Sequence, residues 1–292
     1  MRVGLIQIDG KWANLALMKI SAWHKKQGDK VEWYQPLFEP YDQVYASKIF
    51  SYTPDNEYLR RGTIKGGSGY DLQAKLPDEI EQMFPDYSIY PNVDYAIGFT
   101  TRGCPRKCPF CIVPQKEGNL KVVGDIYDFW NGQKQIRLLD ANLTAAPLEH
   151  FEKIIGQLER EKIKAEFSQG LDLRFLRKEH CLALQRVLFM KRIYFAWDCL
   201  KDEESIIKGL TLFLKYFHPD RVMVYVLIGY DTTPAEDLHR VLRLKKMGVN
   251  PYVMKFGRGN SYQASFARWV NRPEIFKSAA WEDYKRKKAE RN

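Results

Sequence analysis

Six short apolar runs alternate with helix-like segments over the last two thirds of this chain, and this alternation limits the fold more than any other feature. The predicted strands are residues 95–100, 135–139, 164–168, 192–197, 222–228 and 251–256. Such alternation is typical of parallel βα units. Six units predict an α/β fold whose sheet closes part-way, a partial (β/α)6 TIM-like barrel, with sites at the C-terminal ends of its strands.

Two of the intervening helices carry clear signals. After Pro147, five apolar residues recur at a helical period, Leu148, Phe151, Ile154, Ile155 and Leu158. A second helix is predicted to begin at the capping-box sequence 233–236, with Pro234 at its first position and Gly248 at its C-terminal cap. Both patterns strengthen the prediction of helices between parallel strands.

The first ninety residues predict a second, smaller α/β unit. Strands are expected at residues 3–9, 31–34 and within 41–50, and a helix at 14–26 with His24 partly exposed. Residues 65–70 hold three glycines and fit either a tight turn or a phosphate loop. The predicted organisation is a small Rossmann-like domain (1–90, ending in a linker at 87–94), the barrel (91–260) and a helical extension with a basic tail (261–292).

Composition narrows the class of protein and its compartment. Among 292 residues, 45% are hydrophobic, yet no run approaches the ~20 apolar residues of a membrane span. The N-terminus resembles a buried strand, which predicts a cytoplasmic protein without a membrane partner. The net charge is +10, of which residues 285–291 supply five positive charges minus one, or +4. This charge suits RNA or another polyanion as a partner.

Three of the five cysteines, Cys104, Cys108 and Cys111, fall within eight residues directly after the first predicted strand of the barrel. An odd cysteine count with such a cluster favours metal chemistry in a reducing compartment over disulfides. Three thiolates leave one coordination position open. A zinc site completed by Cys181, Cys199 or a histidine is an alternative, although Cys181 lies in a helical pattern and is expected to be a buried apolar residue.

The spacing C-x-x-x-C-x-x-C, with the aromatic Phe110 before its last cysteine, resembles the motif of the radical S-adenosylmethionine (radical SAM) enzymes. The resemblance implies that Cys104, Cys108 and Cys111 ligate an iron-sulfur [4Fe-4S] cluster, whose fourth iron binds S-adenosyl-L-methionine. It further implies reductive cleavage to a 5′-deoxyadenosyl radical, which abstracts hydrogen from an unidentified substrate. An electron donor such as flavodoxin or ferredoxin is implied by the same chemistry.

The resemblance also suggests contacts with S-adenosylmethionine at the strand ends. Asp140, with Asn142 beside it, stands where the family often has a Gly-Gly-Glu motif and would hold the amino group. The other candidates are Gln169 and Asp172 for the ribose or carboxylate, Phe110, Ile228 and Gly229 for the adenine, and Asp198 and Lys255 at the same mouth. An aspartate at a strand end is as often a helix cap or a turn residue.

The N-terminal unit is similar in element order to the cobalamin-binding domain that precedes the radical core in one branch of the family. That domain binds cobalt through a histidine in D-x-H-x-x-G, where this chain has Asp9-Gly10-Lys11. Cobalamin is therefore not expected, and the unit is expected to cover the barrel or to bind substrate. Only Cys181 and Cys199 remain outside the loop, too few for a second four-thiolate cluster.

Three alternative functions remain open from the sequence. One is a radical methyltransferase, and another is an RNA-modifying radical SAM enzyme. The third is a zinc or iron-sulfur module that binds nucleic acid without catalysis. The substrate and the reaction subclass are not defined by the sequence, because loop residues at a barrel mouth follow no shared code.

Overall fold

A computed structural model of the protein describes residues 1–37, 40–257 and 259–289, with side chains described as far as Lys285. Of the predicted basic tail, Glu290 and Arg291 lie outside the described residues. The fold is α/β with parallel sheets. No helix within the described ranges is long and apolar enough to cross a membrane.

The described residues contain thirteen strands. In chain order they are β1 Arg2–Gln7, β2 Lys30–Trp33, β3 Gln43–Ser47, β4 Ile64–Gly66, β5 Tyr95–Gly98, β6 Thr101–Arg102, β7 Lys121–Val122, β8 Gln135–Leu138, β9 Lys164–Phe167, β10 Leu188–Phe189, β11 Ile193–Ala196, β12 Val222–Ile228 and β13 Asn250–Lys255. The six strands predicted after residue 90 are confirmed as β5, β8, β9, β11, β12 and β13, each within two residues of its expected ends.

Three parallel sheets hold eleven of these strands. Their orders are β2-β1-β3-β4, β10-β9-β8-β5 and β11-β12-β13, while β6 and β7 form a small antiparallel pair. An isolated parallel bridge between Leu171 and Phe195 joins the second sheet to the third just beyond β9. The strands β5, β8, β9, β11, β12 and β13 thus follow one another in chain order, with the short β10 paired to the start of β9, and we call these six strands the six-strand row.

Ten α-helices are described. They are α1 Leu15–Lys26, α2 Asp78–Glu81, α3 Val113–Lys116, α4 Leu148–Arg160, α5 Lys178–Leu184, α6 Glu203–Phe213, α7 Pro234–Lys246, α8 Ser261–Val270, α9 Pro273–Ser278 and α10 Trp281–Ala289. The capping box of α7 is confirmed, since Thr233 Oγ1 accepts from Glu236 N at 3.3 Å and Glu236 Oε2 accepts from Thr233 N at 2.7 Å. The last three of these helices lie after residue 260, the part of the chain for which a helical extension was predicted.

The largest core lies between the six-strand row and helices α4 to α8. Alternate residues of β12 point into it, namely Val222, Val224, Val226 and Ile228, which are all fully buried. Cys181 on α5 is also fully buried there, as expected for a small apolar side chain. Because side chains alternate along a strand, the β12 residues that lie between the four buried ones point to the opposite face of the row.

The N-terminal sheet packs against the β5 end of the six-strand row through a second core shared by both units. Val3 and Leu5 of β1 meet Tyr95 and Ile97 of β5 in this cluster. The segment predicted as a linker is part of the packing, because Tyr87 Oη accepts from Ile97 N at 3.1 Å. The segment predicted as a linker, residues 87–94, is therefore packed against the strands that it connects.

At each outer edge of the six-strand row, a side chain forms a hydrogen bond with backbone that a neighbouring strand could otherwise use. At β5, the N–H of Ile97 donates to Tyr87 Oη, as described above. At β13, Asn271 Oδ1 accepts from Val253 N at 2.7 Å, and Asn271 Nδ2 donates to Val253 O at 3.0 Å. The side chain of Asn271 thereby replaces the backbone of a missing neighbouring strand.

Two predictions for the N-terminal unit need correction. His24 is buried, because its Nδ1 lies 2.7 Å from Asp29 Oδ2 and its Nε2 lies 3.0 Å from Tyr45 Oη. The glycine-rich segment begins inside a strand, since Ile64–Gly66 forms β4 beside β3, and the turn follows at Gly67, whose φ is +93°. Three residues are too few for an alternation signal, which explains why β4 was missed.

Candidate functional site

The three clustered cysteines lie in a loop that leaves the C-terminal end of β5 and returns to β8. The β6–β7 pair closes the base of this loop, and the N–H of Cys104 donates to Gly118 O at 3.2 Å. Gly103 has a φ of +79°, and a Cβ there would collide with the backbone of Asn119. Glycine is thus required for this close approach of two chain segments.

Each of the three sulfurs accepts one N–H hydrogen bond. Arg106 Nε lies 3.4 Å from Cys108 Sγ, Val113 N lies 3.5 Å from Cys111 Sγ, and Asn142 Nδ2 lies 3.5 Å from Cys104 Sγ. All three cysteines are free thiols of intermediate exposure. N–H donors beside sulfur stabilise the thiolate form, which is the form that binds metal.

A chain of polar contacts connects Cys104 to Cys108 across three strand ends. Asn142 Nδ2 also donates to Asp172 Oδ2 at 3.0 Å, and the Asp172 carboxylate accepts from both Arg174 Nε and Nη2. We call this chain the polar ring, with members Cys104, Asn142, Asp172, Arg174, Asp202, Arg106 and Cys108. Asn142 and Asp172, two of the candidates named from the sequence, are therefore in direct contact.

Asp202 connects the two arginines of the polar ring. Its Oδ2 accepts from Arg174 Nη1 and from Arg106 Nη2, both at 2.9 Å. Burial alone would lower the pKa of Arg106, but the Cys108 sulfur and Asp202 outweigh it and hold the pKa above its usual value. Both guanidinium groups stay charged and place positive charge beside the sulfurs.

The two carboxylate oxygens of Asp140 differ in their hydrogen bonds. Its Oδ1 accepts four hydrogen bonds, two from the backbone N–H groups and two from the hydroxyls of Thr100 and Thr101. Its Oδ2 is buried and has no hydrogen-bond partner among the described residues. The aspartate therefore fixes the chain after β5, and it keeps one oxygen available for a ligand.

Asp198 follows β11, and none of the described residues donates a hydrogen bond to its carboxylate. Burial raises its pKa, while Arg174, Arg240 and Arg106 act in the opposite direction. Burial also raises the pKa of the Cys111 thiol, with a smaller contribution from Asp198. Asp198 therefore lies among the arginines and close to the cysteine loop, as its place in the sequence suggested.

A row of aromatic rings connects the cysteine loop to the ends of β12 and β13. The Phe110 ring meets Tyr230 at 5.4 Å between centroids, and Tyr230 meets Phe256 at 4.9 Å. Between them, a Cβ on Gly229 would collide with Gln263 of α8. Of the residues predicted to contact adenine, Phe110 belongs to this row of rings, and Gly229 precedes Tyr230 in the chain.

Three other predicted residues lie elsewhere. The side chain of Ile228 is fully buried in the helix-side core, so it does not face the cysteine loop. Gln169 and Lys255 are exposed near the ends of β9 and β13, and within the described ranges neither side chain forms a hydrogen bond or ion pair with the polar ring. The odd-even alternation of β12 could have shown that Ile228 shares the core face with Val226.

The donor set of the loop suits an iron-sulfur cluster. Three free thiols have an N–H donor each, and two buried oxygens near the strand ends, Asp140 Oδ2 and Ser168 Oγ, lack partners. Within the described ranges, no three His, Cys, Asp or Glu side chains converge as a single-ion site. In a [4Fe-4S] cluster, each thiolate binds a different iron.

Sequence reasoning missed Arg106, Arg174 and Asp202, which complete the polar ring. Arg106 lies inside the cysteine motif, and an arginine between two cysteines is a signal for charge beside the sulfurs. Asp202 comes five residues after the end of the predicted strand 192–197, and no local pattern marks it. Neither a scan against models of known protein families nor a search of curated proteins finds a match for this chain.

Proposed function

We propose that this protein is a radical SAM enzyme that binds one [4Fe-4S] cluster through Cys104, Cys108 and Cys111. The observation that carries the proposal is the set of three free thiols, each with its own N–H donor, in the loop after the first strand of the six-strand row. Six parallel strands in chain order are also what a partial (β/α)6 barrel requires.

When bound, the reduced cluster and S-adenosylmethionine would supply a one-electron cleavage of a carbon–sulfur bond. In this chain, Asn142, Arg106 and the N–H of Val113 orient the three sulfurs and stabilise their negative charge. Asp140, whose buried Oδ2 has no partner among the described residues, would accept from the amino group of the methionyl moiety. Phe110 and Tyr230, whose rings meet, would offer apolar surface to the nucleoside.

The N-terminal unit has a covering role in this proposal. Gln7 Nε2 donates to the carbonyls of Asp9, Gly10 and Trp12, at 3.1, 3.1 and 3.0 Å, and so fixes the loop after β1. This loop places the Trp12 ring 3.8 Å from the Arg137 guanidinium of β8. The loop holds no histidine at residues 9–14, and the proposal does not invoke cobalamin.

The test is product analysis after anaerobic reconstitution with iron and sulfide. The reduced protein is incubated with S-adenosylmethionine, and 5′-deoxyadenosine is measured by mass spectrometry. We expect the product from the parent and from the Cys199→Ala control, whose cysteine lies outside the loop, and none from Cys104→Ala. If the parent forms no product, or if Cys104→Ala equals the parent, the proposal fails.

Two further outcomes would redirect the assignment. Formation of S-adenosylhomocysteine would indicate methyl transfer in place of hydrogen abstraction. One bound zinc per chain, retained after reconstitution and lost in Cys104→Ala, would indicate a structural metal site and replace the proposal. Both are read from the same samples by mass spectrometry and metal analysis.

A further inference from the structure

One face of the six-strand row is not packed against helices α4 to α8. Because side chains alternate along a strand, the neighbours of the core residues point to this side. We call it the open face and define it by five residues of five successive strands. They are Arg137, Glu166, Tyr194, Tyr225 and Tyr252.

Arg137 and Glu166 form a buried ion pair in which one atom of each side chain has no hydrogen bond. Arg137 Nη1 lies 2.9 Å from Glu166 Oε2, and both side chains are about nine-tenths buried at 8% and 12% exposure. The two groups are not aligned for a hydrogen bond, since Arg137 Nε and Glu166 Oε2 are buried without a hydrogen-bond partner in the described structure.

The Arg137 guanidinium lies over two aromatic rings. Its central carbon lies 3.8 Å from the Trp12 ring and 4.8 Å from the Tyr95 ring. Rings that cover the face of a guanidinium leave its N–H groups to point outward in the guanidinium plane. Arg137 therefore offers donors beside the acceptor oxygens of Glu166.

Tyrosine rings continue the open face next to Glu166. Tyr194 and Tyr225 are stacked at 5.5 Å with 9° between their planes, and Tyr252 meets Tyr225 edge-on at 5.8 Å. Burial raises the pKa of the Tyr225 hydroxyl to about 12, with smaller contributions from Tyr194 and Glu166. A flat aromatic wall thus adjoins a paired donor and acceptor.

We propose that the open face binds a nucleobase with a lactam edge, in which a ring carbonyl stands next to a ring N–H, as in guanine, hypoxanthine and uracil. Arg137 donates to the carbonyl oxygen, and Glu166 accepts from the N–H. The tyrosines contact the flat ring. Adenine and cytosine lack this adjacent pair, and the paired charges of Arg137 and Glu166 suit a neutral ligand edge.

The position of the open face makes this nucleobase the substrate, an assignment that rests on the proposed function. Arg137 and Glu166 directly precede the last residues of β8 and β9. The polar ring that borders the cysteine loop begins a few residues beyond these ends, at Asn142 and Asp172. Binding of the base itself does not depend on the cluster chemistry.

The test is calorimetric binding of free nucleosides to the reconstituted full chain. Inosine, guanosine and uridine are compared with adenosine and cytidine, and we expect at least tenfold tighter binding of the lactam nucleosides. A short oligouridylate forms a second arm. Tighter binding of the oligomer than of uridine would identify RNA as the source of the base, and the reverse would identify the free nucleoside.

A double variant, Arg137→Met with Glu166→Leu, removes both partners together and avoids leaving one buried charge alone. Its matched control, Lys285→Met with Glu282→Leu, removes an exposed ion pair of 2.7 Å on α10. We expect the first variant, shown to be folded by circular dichroism, to lose the lactam preference and the control to keep it. Tyr252→Leu should weaken binding about tenfold.

Equal binding of adenosine and inosine, or an unchanged preference in the double variant, would overturn the inference. A lactam preference without any 5′-deoxyadenosine from the parent would support the binding site and refute the proposed function. Product formation without a lactam preference would do the opposite. The two proposals therefore fail separately.

Discussion

Arg106 and Asp202 form an ion pair of 2.9 Å between the cysteine loop and the turn that follows β11. The two residues are 96 positions apart in the chain, and the same Asp202 oxygen also accepts from Arg174. The contact fixes the loop to the far side of the strand ends. It also holds the Arg106 guanidinium against Cys108, so that the fold places a positive charge beside this sulfur.

Arg106→Met should make the reduction potential of a reconstituted cluster more negative. The variant removes an N–H donor and a positive charge beside Cys108, and both stabilise the reduced, more negative cluster. A hydrogen bond of about 1 kcal/mol corresponds to a shift on the order of 50 mV for one electron. Potentials are measured by electron paramagnetic resonance titration. Lys107→Met, an exposed neighbour, is the control, and an equal shift in both variants would contradict the role of Arg106.

Asn142→Asp should lower the free energy of unfolding by about 3 kcal/mol. Asn142 is 3% exposed and donates to Asp172 Oδ2, so a carboxylate there loses a donor and meets a like charge. Urea denaturation of the cluster-free protein measures the effect. Asn131→Asp, at an exposed position, should change the free energy of unfolding by less than about 0.5 kcal/mol. A similar value for both variants would show that the polar ring contributes no stability.

Gly103→Ala should reduce the iron bound after reconstitution, because its Cβ collides with the backbone of Asn119 and opens the loop. Gly118 provides a matched control. It also has a positive φ, +75°, but no atom lies within 4 Å of a Cβ built there. Gly118→Ala therefore carries the same backbone strain without the collision, and we expect it to bind iron as the parent does. Equal iron loss in both variants would attribute the effect to strain alone.

Cys181 should be the slowest cysteine to react with iodoacetamide in the cluster-free protein at pH 8. Burial raises its thiol pKa to about 11, so only about one thiol in a thousand is ionised at pH 8, and the side chain is fully buried. Its labelling should increase as the pH approaches 11, since the thiolate fraction rises up to the pKa. Mass spectrometry of peptides gives the rates. In the unfolded protein, Cys181 should react as fast as Cys199, and equal rates in the folded protein would contradict the burial.

Asn271→Ala should lower the free energy of unfolding by about 2 kcal/mol, because two hydrogen bonds to Val253 are lost at about 1 kcal/mol each. Thermal and urea unfolding followed by circular dichroism provide the measurement. Asn131→Ala, exposed and without a side-chain hydrogen bond in the described structure, is the control. An Asn271→Ala protein as stable as the parent would mean that water replaces the side chain at no cost.

Local patterns in the sequence predicted much of the fold and part of the site. The six strands of the row were predicted because β-branched and aromatic runs have a recognisable period, and the α7 cap because its signal spans four residues. Asn142 and Asp172 were found because strand ends meet at one edge. Arg137 and Glu166 were missed, because their pairing depends on the register of β8 with β9, which no local pattern fixes.

The hydrogen bonds of Tyr87 to Ile97 and of Asn271 to Val253 affect whether another strand can add to the edges of the six-strand row. A free sheet edge can be extended by a strand from a second copy or by an extended peptide. At these two positions the backbone groups that such a strand would use are already engaged. Strand addition at Ile97 or Val253 would therefore first have to displace a side chain of the protein itself.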